Sequence, residues 1–186
     1  MGKLIHFVAQ SADGFIHGPN GEFDWPVMGP ELSAYSRRFT ETAGMFLYGR
    51  VVYEMMAGFW PKAEEYSDDP HDHAFAPIWR EFPKAVFSNT LQSADWNTKV
   101  VKGDLKTAVA DLKASVDGDL VLFGGSALAN ALTREGLVDE YQISVHPVVL
   151  GGGQPTFDGS AGRFDLKLLD AKVYDGKVTL FRYAPA

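Results

Sequence analysis

Cysteine is absent from the chain. Disulfides, thiolate metal sites and a cysteine nucleophile are therefore excluded, and the composition suits a reducing compartment. Long apolar runs are missing too. No stretch approaches the ~20 apolar residues of a membrane span, and the opening Gly2-Lys3-Leu4-Ile5-His6-Phe7 lacks the long apolar core of a secretory signal. The expectation is a soluble cytoplasmic protein. Positive charge is scarce as well: 17 Lys and Arg against 24 Asp and Glu leave a formal charge of −7. A nucleic-acid surface needs a clustered basic face, and this chain has little to build one from. A dinucleotide asks only for one or two well-placed cations. With 186 residues, no low-complexity tract and no solenoid repeat, residues 1–186 read as one domain large enough to bury a core.

What is present is strand, glycine and helix in succession. Leu120 to Phe123 form a short apolar run suited to a strand covered on both faces, and Leu128 and Leu132 follow at helical spacing. The joint is Gly124-Gly125-Ser126. Two residues without a β-carbon let a ligand approach the backbone, and Ser126 is placed to cap the helix through its hydroxyl. Free amides and the positive end of a helix dipole there suit an anion such as a diphosphate; an ordinary tight connection reads the same way. Met45 to Tyr48 repeat the arrangement, with Gly49-Arg50 leading into Val51, Val52, Met55 and Met56. A guanidinium at a helix start is poorly placed for the dipole but well placed to grip a phosphate with two bonds.

Around these corners, Leu4 to Ala9 reads as an interior strand ending at the Asp13-Gly14 turn, and Phe23-Asp24-Trp25-Pro26 puts aromatic surface beside a carboxylate in a loop. Pro30 opens a helix with Leu32, Tyr35, Phe39 and Ala43 on one face and Glu31 in its first turn, where a carboxylate favours the dipole. Gly58 to Pro83 is the least regular part. Its Asp68-Asp69-Pro70-His71-Asp72-His73 run fits a solvated acidic loop, a divalent metal or a subunit contact. Asp104 is a cap for a helix carrying Leu105, Ala108, Val109, Leu112 and Val116 on one side. Tyr141 to Leu150 is a long β-prone run ended by Gly151-Gly152-Gly153. Leu166 to Tyr174 and Lys177 to Tyr183 are two strands joined at Asp175-Gly176, and their apolar character leaves room for a homodimer. The architecture is a three-layer α/β domain with a mostly parallel mixed sheet and antiparallel C-terminal strands.

Ser11-Ala12-Asp13-Gly14-Phe15-Ile16, Phe23-Asp24-Trp25, Tyr48-Gly49-Arg50, Phe87-Ser88-Asn89, Phe123-Gly124-Gly125-Ser126 and His146-Pro147 through Gly151-Gly152-Gly153, in that order, resemble the dihydrofolate reductase-like fold. Within it they resemble the riboflavin-biosynthesis reductase C-terminal family. The resemblance implies an NADPH-dependent reductase. It puts Gly49, Arg50, Ser88 and Asn89 at the adenosine phosphate, Gly124, Gly125, Ser126 and Ala127 around the pyrophosphate, and Ala9 and Ile16 by the nicotinamide. By the same similarity Glu31 would be the active-site carboxylate and Ser144 its partner on the facing strand. Asp13 joins them as a catalytic candidate, and Asp24 and Trp25 line the substrate mouth. The implied reaction is hydride transfer to a small heterocyclic, pterin- or pyrimidine-like, or carbonyl substrate, with no metal. The alternative is a nucleotide-binding protein on the same fold without turnover.

Overall fold

A computed structural model describes residues 2–186. Eight strands form one sheet in the order β5-β4-β3-β6-β1-β7-β10-β9. They are β1 (Leu4–Ser11), β3 (Ala43–Gly49), β4 (Lys84–Phe87), β5 (Thr98–Val101), β6 (Asp119–Phe123), β7 (Glu140–His146), β9 (Leu166–Tyr174) and β10 (Val178–Pro185). The six strands from β5 to β7 run parallel, and β10 and β9 close one side antiparallel. A separate small ribbon pairs β2 (Phe15–His17) with β8 (Gln154–Pro155). The ribbon requires glycine at 153, where a β-carbon would fall 2.0 Å from the His17 carbonyl oxygen.

Side chains of the parallel strands point alternately to two faces, and both are covered. On one face Leu4, Val8, Leu47, Leu120 and Leu122 pack against Val109 and Leu112 of α5 (Leu105–Ser115) and Ala129 and Leu132 of α6 (Ala127–Arg134). On the other, Ile5, Phe7, Phe46, Tyr48, Val121 and Phe123 meet α1 (Pro30–Thr42) through Leu32 and Phe39, α2 (Arg50–Phe59) through Tyr53, and α4 (Pro70–Glu81) through Phe75 and Trp79. The result is the three-layer α/β arrangement the alternating pattern predicts.

The structure departs from the sequence reading in three places. Gly58 to Pro83 is almost entirely helical: α2 runs to Phe59, and a 3₁₀ turn (Trp60–Lys62), the short α3 (Ala63–Tyr66) and α4 follow. Asp69 accepts from the His71 amide and Pro70 takes the first helical position, so α4 starts cleanly, with His71, Phe75 and Trp79 at four-residue spacing on its buried side. β7 stops at His146 instead of running to Leu150, because Pro147 has no amide to give and the Val148 amide folds back onto the His146 carbonyl. Third, Ser126 precedes α6 in helical conformation and makes no side-chain cap.

Candidate functional site

The chain leaves β3 towards β4 and leaves β6 towards β7, and β3 and β6 are neighbours in the sheet. Adjacent strands whose connections diverge open a crevice beyond their carboxyl ends, the place where open α/β sheets take ligands. Two helices begin at its walls, α2 after Gly49 on one face and α6 after Gly124-Gly125-Ser126 on the other. The two corners touch. A β-carbon on Gly49 would sit 3.5 Å from Leu128 Cβ, and one on Gly125 would sit 3.2 Å from Val52 Cγ2. Gly124 and Gly125 hold φ of +55° and +64°, which side chains rarely adopt. The Gly124 amide is fixed to the Phe7 carbonyl at 2.8 Å.

Neither helix end carries a side-chain cap, in contrast to the others at this scale. The Asp69 carboxylate caps α4 and that of Asp104 caps α5. Asp175, from the turn between β9 and β10, accepts from the Glu31 and Leu32 amides at the start of α1. The first-turn amides of α2 and α6 are therefore left facing the crevice without such a partner. Arg50 reaches along α2 to Glu54 at 2.8 Å, with both side chains about half exposed. An exposed pair of this kind is worth about 0–1 kcal/mol and yields readily to a phosphate. Ser88 follows β4 next in the sheet, and its hydroxyl closes its own turn by accepting from the Leu91 amide; Asn89 beside it is exposed. Two shallow clefts of about 370 and 310 Å³ lie elsewhere, both bordering β5. No helix starts at the first, and the second borders the start of α5, where Asp104 already caps the Thr107 amide, so the crevice is the better candidate.

On the α1 face of β1 and β7, Ala9 lies beside Ser144 in register. Ile16 is buried in the opposite core, beneath the β2–β8 ribbon. The expected partnership of Glu31 with Ser144 is not made. The Glu31 carboxylate accepts from the Asp175 amide at 2.7 Å, and the buried Ser144 hydroxyl donates to the Val8 carbonyl at 3.2 Å. Hairpin and helix start thus cap one another, which draws Glu31 outward. Asp13 is also engaged. It accepts from the Ser11 hydroxyl at 2.6 Å and from the Leu150 and Gly151 amides. The Ser11 bond, helped by those amides, holds its carboxyl below the usual range. At neutral pH Asp13 is thus an ionised clamp between two loops.

Asp24 is exposed, whereas Trp25 folds inward with its ring 5.3 Å from that of His146, and its indole nitrogen is sealed from solvent without a partner. His146 is the residue the sequence reading missed. It ends β7 beside Ser11, is buried, and accepts from the Val27 amide at Nδ1. Burial pushes its pKa down to about 4, so at neutral pH it is uncharged with its proton on Nε2. A polar residue closing an interior strand immediately before a proline was the available signal. The acidic stretch at 68–73 is structural: His71 Nδ1 lies 2.8 Å from the Ser33 hydroxyl and His73 Nε2 2.7 Å from the Ser67 carbonyl. Among the described residues no three His, Asp or Glu side chains converge as a metal site would require.

The model of the RibD C-terminal domain family matches residues 2–180. The chain belongs to that family. The uncharacterized protein YyaP of Bacillus subtilis is 31% identical over 97% of this chain and 94% of its own. A Shewanella sp. PV-4 protein named for riboflavin biosynthesis has the same fold, with a TM-score of 0.76, 23% identity and 99% of each chain covered. Dihydrofolate reductase from Enterococcus faecalis, complexed with NADP(H), aligns at a TM-score of 0.62 with 16% identity over 98% of this chain and 96% of that one. The fold is thus dihydrofolate reductase-like.

In this RibD C-terminal domain the crevice is open beside Gly124. Gly124 opens on space with nothing within 4 Å of where a β-carbon would stand, and unpaired amides and one displaceable guanidinium border it. Among the described residues no helix is long and apolar enough to cross a membrane.

Proposed function

We propose that this chain is an NADPH-dependent reductase of a small heterocyclic, pterin- or pyrimidine-like, or carbonyl substrate. The observation that carries the reading is the meeting of two uncapped helix N-termini at the divergence of β3 and β6. Gly124, Gly125, Ser126 and Ala127 would hold the diphosphate by backbone amides and dipole. Arg50, released from Glu54, would take the adenosine phosphate together with Gly49, Ser88 and Asn89. Ala9 and Ile16 would border the nicotinamide, and Asp24 and Trp25 the substrate. The bound cofactor supplies the hydride. The chain's own part is to orient the two rings and exclude water, with the Trp25 ring packed on neutral His146 behind the substrate side. A single reductase domain working in the cytoplasm belongs to the same proposal.

The test is titration of NADPH and NADH onto wild type and Arg50→Ala, followed by cofactor oxidation across a panel of pterins, pyrimidines and carbonyl compounds. Arg50→Ala is expected to weaken NADPH at least tenfold while leaving NADH nearly unchanged; equal weakening of both removes the phosphate assignment. A second reading has support in the engagement of Glu31 and Asp13 by other groups, which leaves no free carboxylic acid beside Ala9. A nucleotide-binding protein without turnover would saturate with NADPH and oxidise none of it across the panel.

A further inference from the structure

Between Leu4 and Val8, which pack beneath α5 and α6, β1 sends His6 into the same core, where it is 1% exposed. Neither ring nitrogen has a hydrogen-bond partner among the described residues. A buried polar group left unpaired destabilises a fold and calls for a reason. The backbone group that faces the ring is the Gly124 carbonyl, at the corner between β6 and α6, and the contact stops short of a hydrogen bond. That corner is anchored at both ends and loose between them. The Gly124 amide donates to the Phe7 carbonyl at 2.8 Å, and the Ser126 carbonyl accepts from the Asn130 amide at 2.8 Å and from Asn130 Nδ2 at 2.9 Å. No backbone amide reaches the Gly124 carbonyl among the described residues. The peptide between the anchors joins two glycines at φ +55° and +64°, so no side chain hinders its turning over. It is trans, and a planar trans peptide points its carbonyl and its amide in opposite directions. With the Gly124 carbonyl turned inward to His6, the Gly125 amide is turned outward to the crevice. The reversed peptide would put a carbonyl oxygen there, against an anion.

We propose that His6 is the positioning residue of the Gly124-Gly125 peptide: a ring N–H holds the Gly124 carbonyl inward, so that the Gly125 amide is presented to the diphosphate of the bound cofactor. The assignment rests on the reading of the crevice as a diphosphate site. His6 touches neither substrate nor cofactor and acts only through the peptide. Neutral imidazole has one N–H to give, and Gly124 offers the carbonyl beside it. An anion accepting from the Gly125 amide polarises the same peptide and makes its carbonyl a better acceptor, so the inner contact and the ligand tighten together. A leucine at position 6 would fill the space and leave the carbonyl without a donor, and the peptide would then sample both orientations.

The test compares wild type, His6→Leu and His6→Gln, whose amide can donate in place of the imidazole. Two ligands are titrated: NADPH, and adenosine 2′-monophosphate, which carries the phosphate assigned to Arg50 but no diphosphate. In parallel, nitrogen-15 NMR follows the Gly125 amide of the ligand-free protein. His6→Leu is expected to weaken NADPH roughly fivefold or more, the worth of one hydrogen bond, and to leave adenosine 2′-monophosphate within about twofold, which also shows the variant to be folded. Its Gly125 signal is expected to broaden or split. His6→Gln is expected to keep a single Gly125 signal and to recover most of the NADPH affinity. Undiminished NADPH affinity in His6→Leu, equal weakening of both ligands, an unmoved single Gly125 signal, or a His6→Gln protein no better than His6→Leu overturns the assignment. A wild type that binds neither ligand removes the cofactor reading instead, and the NMR comparison then decides whether His6 sets the peptide.

Discussion

His6 lies in β1 with both ring nitrogens sealed from solvent and without a hydrogen-bond partner, its ring edge-on to Tyr141 at 6.2 Å. Burial pushes its pKa from 6.5 down to about 4, offset only in part by a contact with the Gly124 carbonyl that falls short of a hydrogen bond. The unfolded chain takes up this proton below about pH 6.5, while the folded chain refuses it until about pH 4. Between those limits the unfolded state binds more protons, so stability falls as pH falls, by about 1.4 kcal/mol per pH unit and roughly 3 kcal/mol in all. His6→Leu fills similar space and removes the buried polar ring. Its stability at neutral pH is expected to equal wild type or exceed it by about 1–2 kcal/mol. Its acid loss is expected to be shallower by one proton. His146, with the same shift, keeps a second proton's share in the variant and so sets the residual slope. Urea unfolding at half-unit pH steps, with the His6 ring followed by NMR, measures both quantities. A His6→Leu protein that retains the full acid slope, or that loses more than about 1 kcal/mol at pH 7, refutes the reasoning.

The buried Glu140 carboxylate accepts from Lys3 Nζ at 2.9 Å, Arg182 Nε at 2.8 Å and Gln142 Nε2 at 2.8 Å. Burial alone would raise its pKa, but these bonds outweigh it and hold the group below its usual value. Its contribution is therefore present above about pH 4.3 and lost as pH falls further. Arg182→Met is expected to cost roughly 3 kcal/mol in urea unfolding, and Glu140→Leu/Arg182→Met less, because the single change leaves a buried carboxylate with Lys3 as its one remaining cation; the reverse ranking would remove that explanation. At the crevice, Gly49 has φ −77° and ψ 160°, open to any residue, with only an ordinary contact to Leu128. Gly49→Asp would cap α2 and is expected to gain a few tenths of a kcal/mol of stability while weakening NADPH at least tenfold. Added stability with undiminished binding would show that the α2 amides do not serve the ligand.

Features set by neighbours in sequence were legible. Asp104 capping α5, Pro30 opening α1 and the apolar run of β6 all follow from local chemistry. Features set at long range were not. The sheet order places β1 between β6 and β7, and no periodicity in either strand records which neighbour it takes. Glu31 reads identically whether it faces a ligand or the Asp175 amide; only the hairpin's position decides. In 58–83 proline and paired acidic residues fit loop chemistry, although the same residues are helix start signals when an apolar four-residue repeat follows.

The helix ends show why that division matters for function. A capping carboxylate and a bound anion satisfy the same orphan amides, so a helix start suited to a ligand is one whose amides the fold has left alone. From sequence, Ser126 is placed to cap α6, and Glu31 is the carboxylate at the start of α1. In the folded chain Ser126 leaves its amides free, and Asp175, 144 residues from Glu31, closes α1. The crevice between β3 and β6 is therefore distinguished less by the glycines it contains, which many turns share, than by a pattern of satisfied and unsatisfied donors. Acid groups neutralise every competing helix start of comparable length, and the two that remain open are the two that meet.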